Sequence, residues 1–437
     1  MQNIAVIGTG YVGLVSGAGI SDYGHNVVCA DIDKTKIEQL NKGEIPIYEP
    51  GLHELVNRNV KFNRLSFTAN VDEAIRNADV IFITVGTPEG ENGASDLTAV
   101  FEVARAIGEN LNGYKVVCTK STVPIGTGEK ITNIIKDVSK NVNEFDYVSN
   151  PEFLREGSAV KDFLWPDRVI IGASGSRAFK TMKNVYRPLY INETPIIETT
   201  VETAELIKYA SNAFLSVKIS YINEIANMCD EIGADVHVVS KAMGIDGRIS
   251  PKFLHPGPGF GGSCFPKDTK ALISMAKEMG IDLNVVSGAV VANQLQKERM
   301  AQKLLNLFDG DIKNKTIAIL GLAFKAQTDD IRESPAIEII NTLNKNGALI
   351  RAFDPAANEN MKKRFNDLKT FDSWEEAVKD ADGVVIMTEW NEFRGLDLLK
   401  LKGLLKSPVL LDCRNILRMD DLETMGFKYD NVGRKKR

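Results

Sequence analysis

Short apolar runs alternate with longer segments of mixed polarity through the first half of the chain. Four such runs, at residues 4–7, 27–30, 80–85 and 114–118, are each bounded by glycine, aspartate or asparagine. Uniformly apolar runs of this length, separated by helical patterns, are typical of strands that are buried on both faces. The pattern therefore predicts a parallel β-sheet covered by helices on both sides.

The pattern changes near residue 200 and changes back near residue 312. Between these points helical spacing dominates, as in residues 202–226, which predicts a mainly helical middle segment with a long helix. Strands at 316–320, 349–353, 383–387 and 409–412 and a helix at 334–345 then predict a second α/β domain. The expected fold class is α/β, with two Rossmann-like doubly wound parallel-sheet domains (1–200 and 313–437) joined by a helical middle domain (201–312).

Composition narrows the class of protein. The 437 residues are 43% hydrophobic and 25% charged, with a net charge of −5, which argues against a general nucleic-acid binder. Without an apolar run of about 18 residues, no membrane span is expected. The N-terminus enters a strand pattern at once, so a secretory signal is not expected. Five widely spaced cysteines without a CxxC pair favour a reducing compartment, the cytoplasm, and give no zinc site.

A glycine-rich turn follows the first predicted strand and opens a helix. Gly8 permits a tight turn, Gly10 lets the backbone approach a pyrophosphate, and Gly13 allows close packing of helix on strand. Asp31, about 20 residues on, ends the second strand, where an acid accepts the ribose hydroxyls and repels a 2′-phosphate. The turn therefore predicts NAD binding, with Lys36 able to reach the same ribose. The alternatives are a purely structural turn and a solvated surface lysine.

A second glycine-rich segment, at residues 257–268, surrounds one cysteine. Four glycines in six positions suit a loop whose backbone closes on a ligand. Cys264 is followed by Lys267, Asp268 and a predicted helix at 269–279. A thiol near a lysine and a helix N-terminus becomes a useful nucleophile. The alternative is a cysteine that serves as a small buried hydrophobic residue.

Six motifs occur in order along almost the whole chain. They are GTGYVG at 8–13, STVP at 121–124, NPEFLREG at 150–157, ELIKYASNAF at 205–214, GFGGSCFPKD at 259–268, and FK at 324–325 with TDDIRES at 328–334. Together they resemble the UDP-glucose dehydrogenase family, within the wider UDP-glucose/GDP-mannose dehydrogenase group. The resemblance implies an NAD-binding domain at 1–200, a dimerisation domain at 201–312 and a UDP-sugar-binding domain at 313–437.

The resemblance implies two successive hydride transfers from one sugar carbon to NAD, with an aldehyde, a thiohemiacetal and a thioester on the way to the acid. Cys264 would be the covalent nucleophile. Lys208 and Asn212, four residues apart on one helix face, would stabilise charge on the reacting oxygen. Asp268 would be a base or would orient water, Thr122 would hold a water, and Glu152 would be the base for thioester hydrolysis. Outside the family context these are ordinary surface, loop or capping residues.

The same resemblance implies contacts with both ligands. Lys325 would bind the pyrophosphate, Arg332 would reach toward the cofactor, and Arg248 would cross a subunit interface. The further cofactor contacts implied are Tyr11, Val12, Thr87, Ser121, Thr122, Glu156 and Lys267. The further substrate contacts implied are Glu152, Phe153, Leu154, Lys208, Asn212, Phe253, Leu254, Gly257, Gly261 and Phe265.

The corresponding turn of the C-terminal domain reads GLAFK at 321–325 and departs from the dinucleotide fingerprint. Bulky Phe324 stands where a glycine would allow close approach, so this domain is not expected to bind a second NAD. Phe260 and Phe265 around the nucleophile resemble the UDP-glucose branch. UDP-glucose is therefore the expected substrate, and a homodimer or higher homo-oligomer the expected assembly.

Three alternatives stay open at this stage. The same chemistry on GDP-mannose or on a UDP-N-acetylhexosamine would use the same framework. A single-step alcohol dehydrogenase would share the lysine and asparagine helix, but it needs no thiol such as Cys264. A non-catalytic NAD-binding scaffold would not need Cys264, Lys208, Asn212 and Asp268 together. The ratio of NADH formed to sugar nucleotide consumed separates the last two from a four-electron oxidation.

Overall fold

The computed structural model describes residues 1–90, 93–140 and 145–434. Two compact units divide the chain. The first comprises Met1–Ser211 with Lys270–Gly280, and the second comprises Asn212–Thr269 with Ile281–Arg437. The predicted α/β class with two sheets is confirmed. The division into three domains stays a prediction, since the helical middle segment is shared between the two units.

The described part of the first unit contains one eight-stranded sheet with the order β3-β2-β1-β4-β5-β6-β7-β8. All neighbouring strands are parallel except β6 and β7. The strands are β1 Asn3–Ile7, β2 Asn26–Ala30, β3 Leu65–Thr68, β4 Val80–Ile83, β5 Lys115–Thr119, β6 Phe145–Ser149, β7 Val169–Ala173 and β8 Ile196–Thr199. The helices are α1 Tyr11–Asp22, α2 Lys34–Asn41, α3 Leu52–Lys61, α4 Val71–Asn77, α5 Thr98–Glu109, α6 Thr127–Val138, α7 Ala159–Leu164 and α8 Ser176–Val185.

Alternate residues of the central strands β1, β4 and β5 enter two different apolar cores, which explains why these strands are mostly apolar. On β1, Ile4 and Val6 belong to one core, and Ala5 and Ile7 belong to the other. Both sets are almost completely buried. A sheet buried on both faces places its loops, and hence its polar side chains, at the strand ends. The predicted strand at 80–85 is shorter than expected and ends at Ile83.

Four helices fill the middle of the chain. They are α9 Val201–Ile232, α10 Val236–Ile245, α11 Phe265–Glu278 and α12 Asn284–Leu307. The long helix predicted around 202–226 is α9, with 32 residues. The helix predicted at 269–279 begins earlier, at Phe265, because Pro266 lies in its first turn, where the missing amide proton costs no hydrogen bond. No helix in the described ranges combines the length and apolarity needed to cross a bilayer.

The described part of the second unit contains a six-stranded parallel sheet with the order β11-β10-β9-β12-β13-β14. The strands at residues 316–320, 349–353 and 409–412 have the predicted bounds, whereas the strand predicted at 383–387 ends at Ile386. The strands are β9 Thr316–Leu320, β10 Leu349–Phe353, β11 Lys369–Thr370, β12 Gly383–Ile386, β13 Val409–Asp412 and β14 Lys428–Asp430. The helices are α13 Pro335–Lys345, α14 Asn358–Arg364, α15 Trp374–Val378, α16 Asn391–Arg394, α17 Leu398–Leu404 and α18 Met419–Thr424.

Candidate active site

The turn between β1 and α1 has the geometry of a dinucleotide site. Gly8 has a φ of +101°, a left-handed conformation that glycine adopts without strain. A Cβ on Gly13 would lie 1.8 Å from the Gly8 carbonyl oxygen, so only glycine allows α1 to start this close to β1. A Cβ on Gly10 would meet no atom within 4 Å. The open space at Gly10, beside the helix N-terminus, fits the approach of a pyrophosphate and therefore the NAD that the fingerprint predicts.

Asp31 follows β2 and is held by its neighbours. Its Oδ2 accepts hydrogen bonds from the Thr9 amide (2.8 Å) and hydroxyl (2.7 Å) and pairs with the Lys36 ammonium at 3.3 Å. Burial raises the pKa of the Asp31 carboxyl, but hydrogen bonds from Thr9 and Asp33 and the charge of Lys36 outweigh it, so the pKa lies below its ordinary value. An ionised acid here suits ribose hydroxyl donors and disfavours a 2′-phosphate.

The loops after β4 and β5 carry Thr87, Ser121 and Thr122 and are bound to each other. The Ser121 hydroxyl donates to the Val85 carbonyl at 2.7 Å, and the Thr87 hydroxyl donates to the Thr122 carbonyl at 3.0 Å. Both loops leave the sheet at its carboxyl edge, where open α/β sheets bind their ligands.

Glu49, which the sequence analysis missed, binds the fingerprint helix to the segment at 150–157. Its carboxylate accepts the Tyr11 hydroxyl and the amides of Gly157 and Ala159, each amide at 2.7 Å. Burial, first of all, and then the hydrogen bond to Glu49 raise the pKa of Tyr11, to which the charge of Glu156 contributes. The structure thus brings Glu156 near the fingerprint. The only sequence signal for Glu49 is an acid among apolar residues and prolines in IPIYEP at 45–50.

Glu152 and Lys208 form a buried ion pair. Glu152 Oε1 lies 2.8 Å from Lys208 Nζ, and the two side chains are 6% and 4% exposed. The Leu154 amide also donates to the Glu152 carboxylate. Beside this pair, the guanidinium carbon of Arg168 lies 3.6 Å from the centre of the Phe153 ring. The structure therefore brings together four predicted site residues, Glu152, Phe153, Leu154 and Lys208, and adds Arg168, which no motif had singled out.

Glu205 lies one turn before Lys208 on α9 and caps another helix. Its carboxylate accepts the amides of Gly126 (2.7 Å) and Gly128 (2.8 Å) at the N-terminus of α6. Burial raises the pKa of Glu205 to about 7, because these two amides offset only part of the desolvation. Through this cap, α9 also holds the loop that carries Thr122. Glu205 is the first residue of the ELIKYASNAF motif, so the sequence shows the acid but does not predict its burial.

The glycines before the nucleophile are packed against their own chain. Gly259 and Gly262 have φ values of +105° and +83°. A Cβ on Gly261 would lie 2.3 Å from the Glu333 carbonyl oxygen, and one on Gly262 would lie 2.8 Å from the Phe324 ring. The sequence predicts that the backbone of this loop closes on a ligand. At Gly261 and Gly262, however, protein atoms occupy the space that a side chain would need. The substrate contacts of Gly257 and Gly261 stay predictions.

Cys264 stands at the start of α11 and is the partly exposed member of the five free cysteines. Its carbonyl accepts the Asp268 amide at 2.8 Å, which makes Cys264 the cap of the helix, and its Sγ lies 3.6 Å from the Ser263 hydroxyl. The sequence predicts that Lys267 and Asp268 precede the helix. Because α11 begins at Phe265, both residues lie in its first turn. The partial positive charge of a helix N-terminus favours an anion at this position.

Asp268 is buried and held on two sides. Asn212 Nδ2 donates to its Oδ2 at 2.7 Å, and Lys267 Nζ lies 2.8 Å from its Oδ1. The carboxylate is 1% exposed. The second unit thus places the predicted nucleophile, carboxylate and amide on or against the first turns of one helix, while Lys208, Thr122 and Glu152 belong to the first unit.

The aromatic residues predicted to line the substrate form one cluster. The Phe265 ring lies 6.1 Å from both the Phe253 ring and the Phe260 ring, with edge-to-face geometry. Leu254 is buried, and Phe253 has a φ of +65°. This positive φ in a bulky residue marks a backbone held by its surroundings, as often occurs at ligand sites.

Three predicted basic residues contact their own loops. Arg248 pairs with Asp246 at 2.6 Å and Arg332 with Asp330 at 2.7 Å, with side chains that are 90% and 64% exposed. Lys325 Nζ lies 5.4 Å from the centre of the Phe324 ring. Their roles at the interface, cofactor and pyrophosphate stay predictions.

The turn after β9 is closed by its own side chains. Asp354 Oδ2 accepts the amides of Leu322 (2.7 Å) and Ala323 (3.1 Å), and Gly321 has a φ of +98°. Asp354 therefore holds this turn as Asp31 holds the turn after β1. The Phe324 ring, however, packs against Gly262 where the first turn leaves open space.

Comparison with known proteins covers almost the entire chain. Models of the UDP-glucose/GDP-mannose dehydrogenase family match three successive stretches: the NAD binding domain at residues 2–190, the central domain at 202–295 and the UDP binding domain at 318–419. The chain is 50% identical over 436 residues to a UDP-glucose 6-dehydrogenase of Rhizobium meliloti, covering 99% of this chain and 100% of that protein.

Two further proteins extend the similarity. The UDP-glucose 6-dehydrogenase TuaD of Bacillus subtilis is 46% identical, covering 99% of this chain and 94% of that protein. Among solved structures, a UDP-glucose dehydrogenase from Pyrobaculum islandicum matches with a TM-score of 0.90 and 37% identity, covering 95% of both chains.

Proposed function

The chain belongs to the UDP-glucose/GDP-mannose dehydrogenase family, and on that premise we propose that it oxidises UDP-glucose to UDP-glucuronate with NAD. The observation that carries the proposal is the full-length similarity to UDP-glucose 6-dehydrogenases. The fingerprint around Gly10 and Asp31 supports NAD as the acceptor. Residues proposed below for individual steps are supported by their placement in each unit.

The reaction removes four electrons from the primary alcohol of the sugar. One alcohol, two NAD⁺ and one water give one carboxylate, two NADH and three protons. When bound, NAD accepts one hydride at each of the two oxidations. The chain's residues must therefore activate the hydroxyl, hold the aldehyde and deliver water to an acyl carbon.

Cys264 is the proposed nucleophile for the aldehyde stage. Its sulfur forms a bond to the aldehyde carbon, and the carbonyl oxygen becomes a thiohemiacetal hydroxyl. The second oxidation leaves a thioester. Water then adds to the acyl carbon, the carbon–sulfur bond breaks, and the electron pair returns to sulfur. The N-terminus of α11 favours the thiolate at the beginning and the end of this sequence.

Charged groups around the two units support the proton and oxygen chemistry. Lys208 and Asn212, one turn apart on α9, are proposed to donate to the reacting oxygen. Asp268, held by Asn212 and Lys267, is proposed to accept a proton or orient water, and Thr122 to hold a water. Glu152 is proposed as the base for thioester hydrolysis, since its carboxylate is buried and lies 2.8 Å from the Lys208 ammonium.

The proposed binding residues form two sets, one for the cofactor and one for the substrate. The cofactor contacts proposed are Gly8, Gly10, Tyr11, Val12, Gly13, Asp31, Lys36, Thr87, Ser121, Thr122, Glu156, Lys267 and Arg332. The substrate contacts proposed are Glu152, Phe153, Leu154, Lys208, Asn212, Arg248, Phe253, Leu254, Gly257, Gly261, Phe265 and Lys325. Two of these sets are best supported by contacts in the structure. They are the aromatic cluster around Phe265 and the Asp31 carboxylate, which accepts the Thr9 amide.

We also propose a homodimer. Phe214, Tyr221 and Met228 stand seven residues apart on α9 and are 63%, 46% and 58% exposed. Large apolar side chains at this spacing form one stripe on a helix and are typical of a surface covered by another helix. A second copy of the chain supplies the same stripe, and it would also bring the implied Arg248 contact across the interface. The cytoplasmic location stays a prediction.

The decisive experiment measures stoichiometry in purified enzyme. Two NADH per UDP-glucose consumed, with UDP-glucuronate as product, is the expected result. GDP-mannose and UDP-N-acetylmannosamine, tested with NAD and NADP in parallel, should react far more slowly. A ratio of one would support a single-step dehydrogenase, and no NADH from any of these substrates would overturn the proposal.

The covalent step has its own test. Cys264→Ser should stop thioester formation and lower turnover by roughly a thousandfold, because the alkoxide needed in its place is far less accessible than a thiolate. The matched control is Cys229→Ala at a buried cysteine of α9, which should keep near-normal turnover. Normal acid production by the Cys264→Ser enzyme would show that the sulfur is not the nucleophile.

A further inference from the structure

Lys120 is a buried lysine that none of the steps above uses. It follows β5 directly, precedes Ser121 and Thr122, and is 5% exposed. Its ammonium donates to Asn150 Oδ1 at 3.2 Å and to the Tyr186 hydroxyl at 3.3 Å. The nitrogen also lies 5.8 Å from the centres of the Phe163 and Tyr186 rings.

The environment of Lys120 is a poor one for a cation kept only for stability. Both hydrogen-bond acceptors are neutral, and within the described ranges no carboxylate forms an ion pair with this ammonium. A buried charge without a direct counter-charge is expensive and is often retained for function. Burial lowers the pKa of Lys120 to about 8, against which the charge of Glu152 acts.

The contacts of Lys120 connect the two loops that carry Thr122 and Glu152. Asn150, its partner, lies two residues before Glu152, and Lys120 lies two residues before Thr122. Asn150 is itself fixed, because its Nδ2 donates to the Ile170 carbonyl at 2.7 Å and its oxygen accepts the Tyr186 hydroxyl at 2.5 Å. The ammonium therefore sits in a rigid cage at the ends of β5 and β6.

The charged groups that act on Lys120 are Glu152 and Lys208. Cys118 on β5 and Tyr186 also face it, but burial raises the pKa of both groups, so they stay neutral. With Glu152 paired to Lys208 at 2.8 Å, the cluster contains two cations and one anion. Because the charge of Glu152 acts on Lys120, the charge of Lys120 acts on Glu152 in return.

We propose that Lys120 is a positioning residue that fixes the loop of Glu152 and adds a buried positive charge beside it for thioester hydrolysis. The inference rests on the role proposed for Glu152 above. Lys120 acts through Glu152 and Asn150 and not by touching the substrate. Loss of its charge should therefore change the pH dependence of the reaction, which a purely structural lysine would not do.

The test compares two lysines of the same strand region. Lys120→Met removes the charge at the carboxyl end of β5. Lys115→Met is the matched control, since Lys115 is also buried but lies at the amino end of β5 and donates to the Arg76 and Ala78 carbonyls. Turnover with UDP-glucose and NAD is measured from pH 5 to 9. The Glu152 carboxyl is titrated by infrared difference spectroscopy against the Glu152→Gln enzyme.

In the Lys120→Met enzyme the acidic limb of turnover and the infrared titration should both move up by about one pH unit, which is roughly a tenfold loss of activity on that limb. The Lys115→Met enzyme should keep the wild-type profile. Lys120→Gln retains a hydrogen-bond donor without the charge and should show the same shift, so it replaces the methionine variant if that fails to fold.

An unshifted titration in the folded Lys120 variants overturns the inference, even if their activity is lower, because the residue would then be structural. The proposed function fails separately, if wild-type enzyme reduces no NAD with UDP-glucose. The infrared titration does not depend on turnover, so the effect of Lys120 on Glu152 is measured in either case.

Discussion

Three buried carboxylates in the site regions are held by three different kinds of partner. Glu152 pairs with the Lys208 ammonium, and Asp268 is held by Lys267 together with the Asn212 amide. The Glu205 carboxylate accepts the backbone amides of Gly126 and Gly128. Removing a carboxylate from water costs free energy that a cation offsets better than two neutral donors do. Burial accordingly raises the pKa of Glu205 to about 7.

This raised pKa predicts a pH-dependent stability at a single residue. The folded chain holds the Glu205 proton more tightly than an unfolded chain, in which the pKa is near 4.5. The contribution of the group to stability is therefore complete below pH 4.5 and declines as the pH rises to about 7, by at most about 3 kcal/mol. The stability advantage of wild type over Glu205→Gln should be larger at pH 5 than at pH 8, measured by urea unfolding.

Glu129→Gln provides the control, since Glu129 is an exposed acid in the first turn of the same helix α6. Its effect on the free energy of unfolding should be similar at both pH values. An advantage of wild type over Glu205→Gln that stays constant between pH 5 and 8 would contradict the assignment.

Individual site residues differ in how far the sequence could reveal them. Cys264, Asp268, Lys208 and Asn212 stand inside motifs, and the structure gives each a local arrangement that suits chemistry. Lys120 stands beside a motif, but its importance comes from burial and from the Asn150 contact, which depend on β5 and β6 being neighbours. Contacts between residues far apart in the chain follow from topology and not from local pattern.

At the scale of elements, two helix starts carry much of the candidate site. The start of α1 carries the cofactor fingerprint, and the start of α11 carries the proposed nucleophile, Cys264. Helix N-termini present unpaired amides and a partial positive charge, which suit a pyrophosphate and a thiolate. The glycines at these helix starts have different roles. Some are needed for close packing, and others leave room for a ligand.

Two alanine substitutions in the turn after β1 should distinguish the packing role from the ligand-binding role. Gly13→Ala places a methyl group 1.8 Å from the Gly8 carbonyl oxygen, so overpacking should destabilise the first unit by about 1–3 kcal/mol or more. Gly10→Ala meets no atom within 4 Å and has a φ of −74°, which alanine tolerates. It should fold normally but bind NAD at least about tenfold more weakly.

Thermal unfolding and NAD titration by calorimetry measure the two effects. The prediction requires a lowered melting temperature for Gly13→Ala alone and a weakened affinity for a folded Gly10→Ala. Unchanged NAD affinity in the Gly10→Ala protein would show that the pyrophosphate does not approach the backbone there.

The sequence predicted most inner strands because they are short, apolar and bounded by polar turns, as β9, β10 and β13 show. It gave no expectation for edge strands such as β8 or β11, whose residues are largely accessible to solvent and lack a uniform apolar run. The helix α11 begins at Phe265, four residues before the predicted start at 269, and Pro266 lies within its first turn.

On the scale of the whole molecule, the α9 stripe predicts the assembly. Phe214→Asp combined with Tyr221→Asp places two charges in the apolar surface and should convert the proposed dimer to monomers. Light scattering coupled to size exclusion should show half the wild-type mass. Because Arg248 is proposed to act across the interface, the monomer should also bind UDP-glucose more weakly.

Leu399→Asp is the matched control, since Leu399 is 69% exposed on α17, away in sequence from the stripe. This variant should keep the wild-type mass. A wild-type protein that is monomeric at micromolar concentration would refute the predicted assembly.

The unequal burial of the five thiols offers a way to count working enzyme. Cys29, Cys118, Cys229 and Cys413 are buried, and burial raises the pKa of each of these thiols. Cys264 alone is partly exposed. A mild alkylating reagent at neutral pH should therefore attach to one sulfur per polypeptide, and intact-mass spectrometry of the adduct would titrate the fraction of molecules whose reactive centre is properly formed.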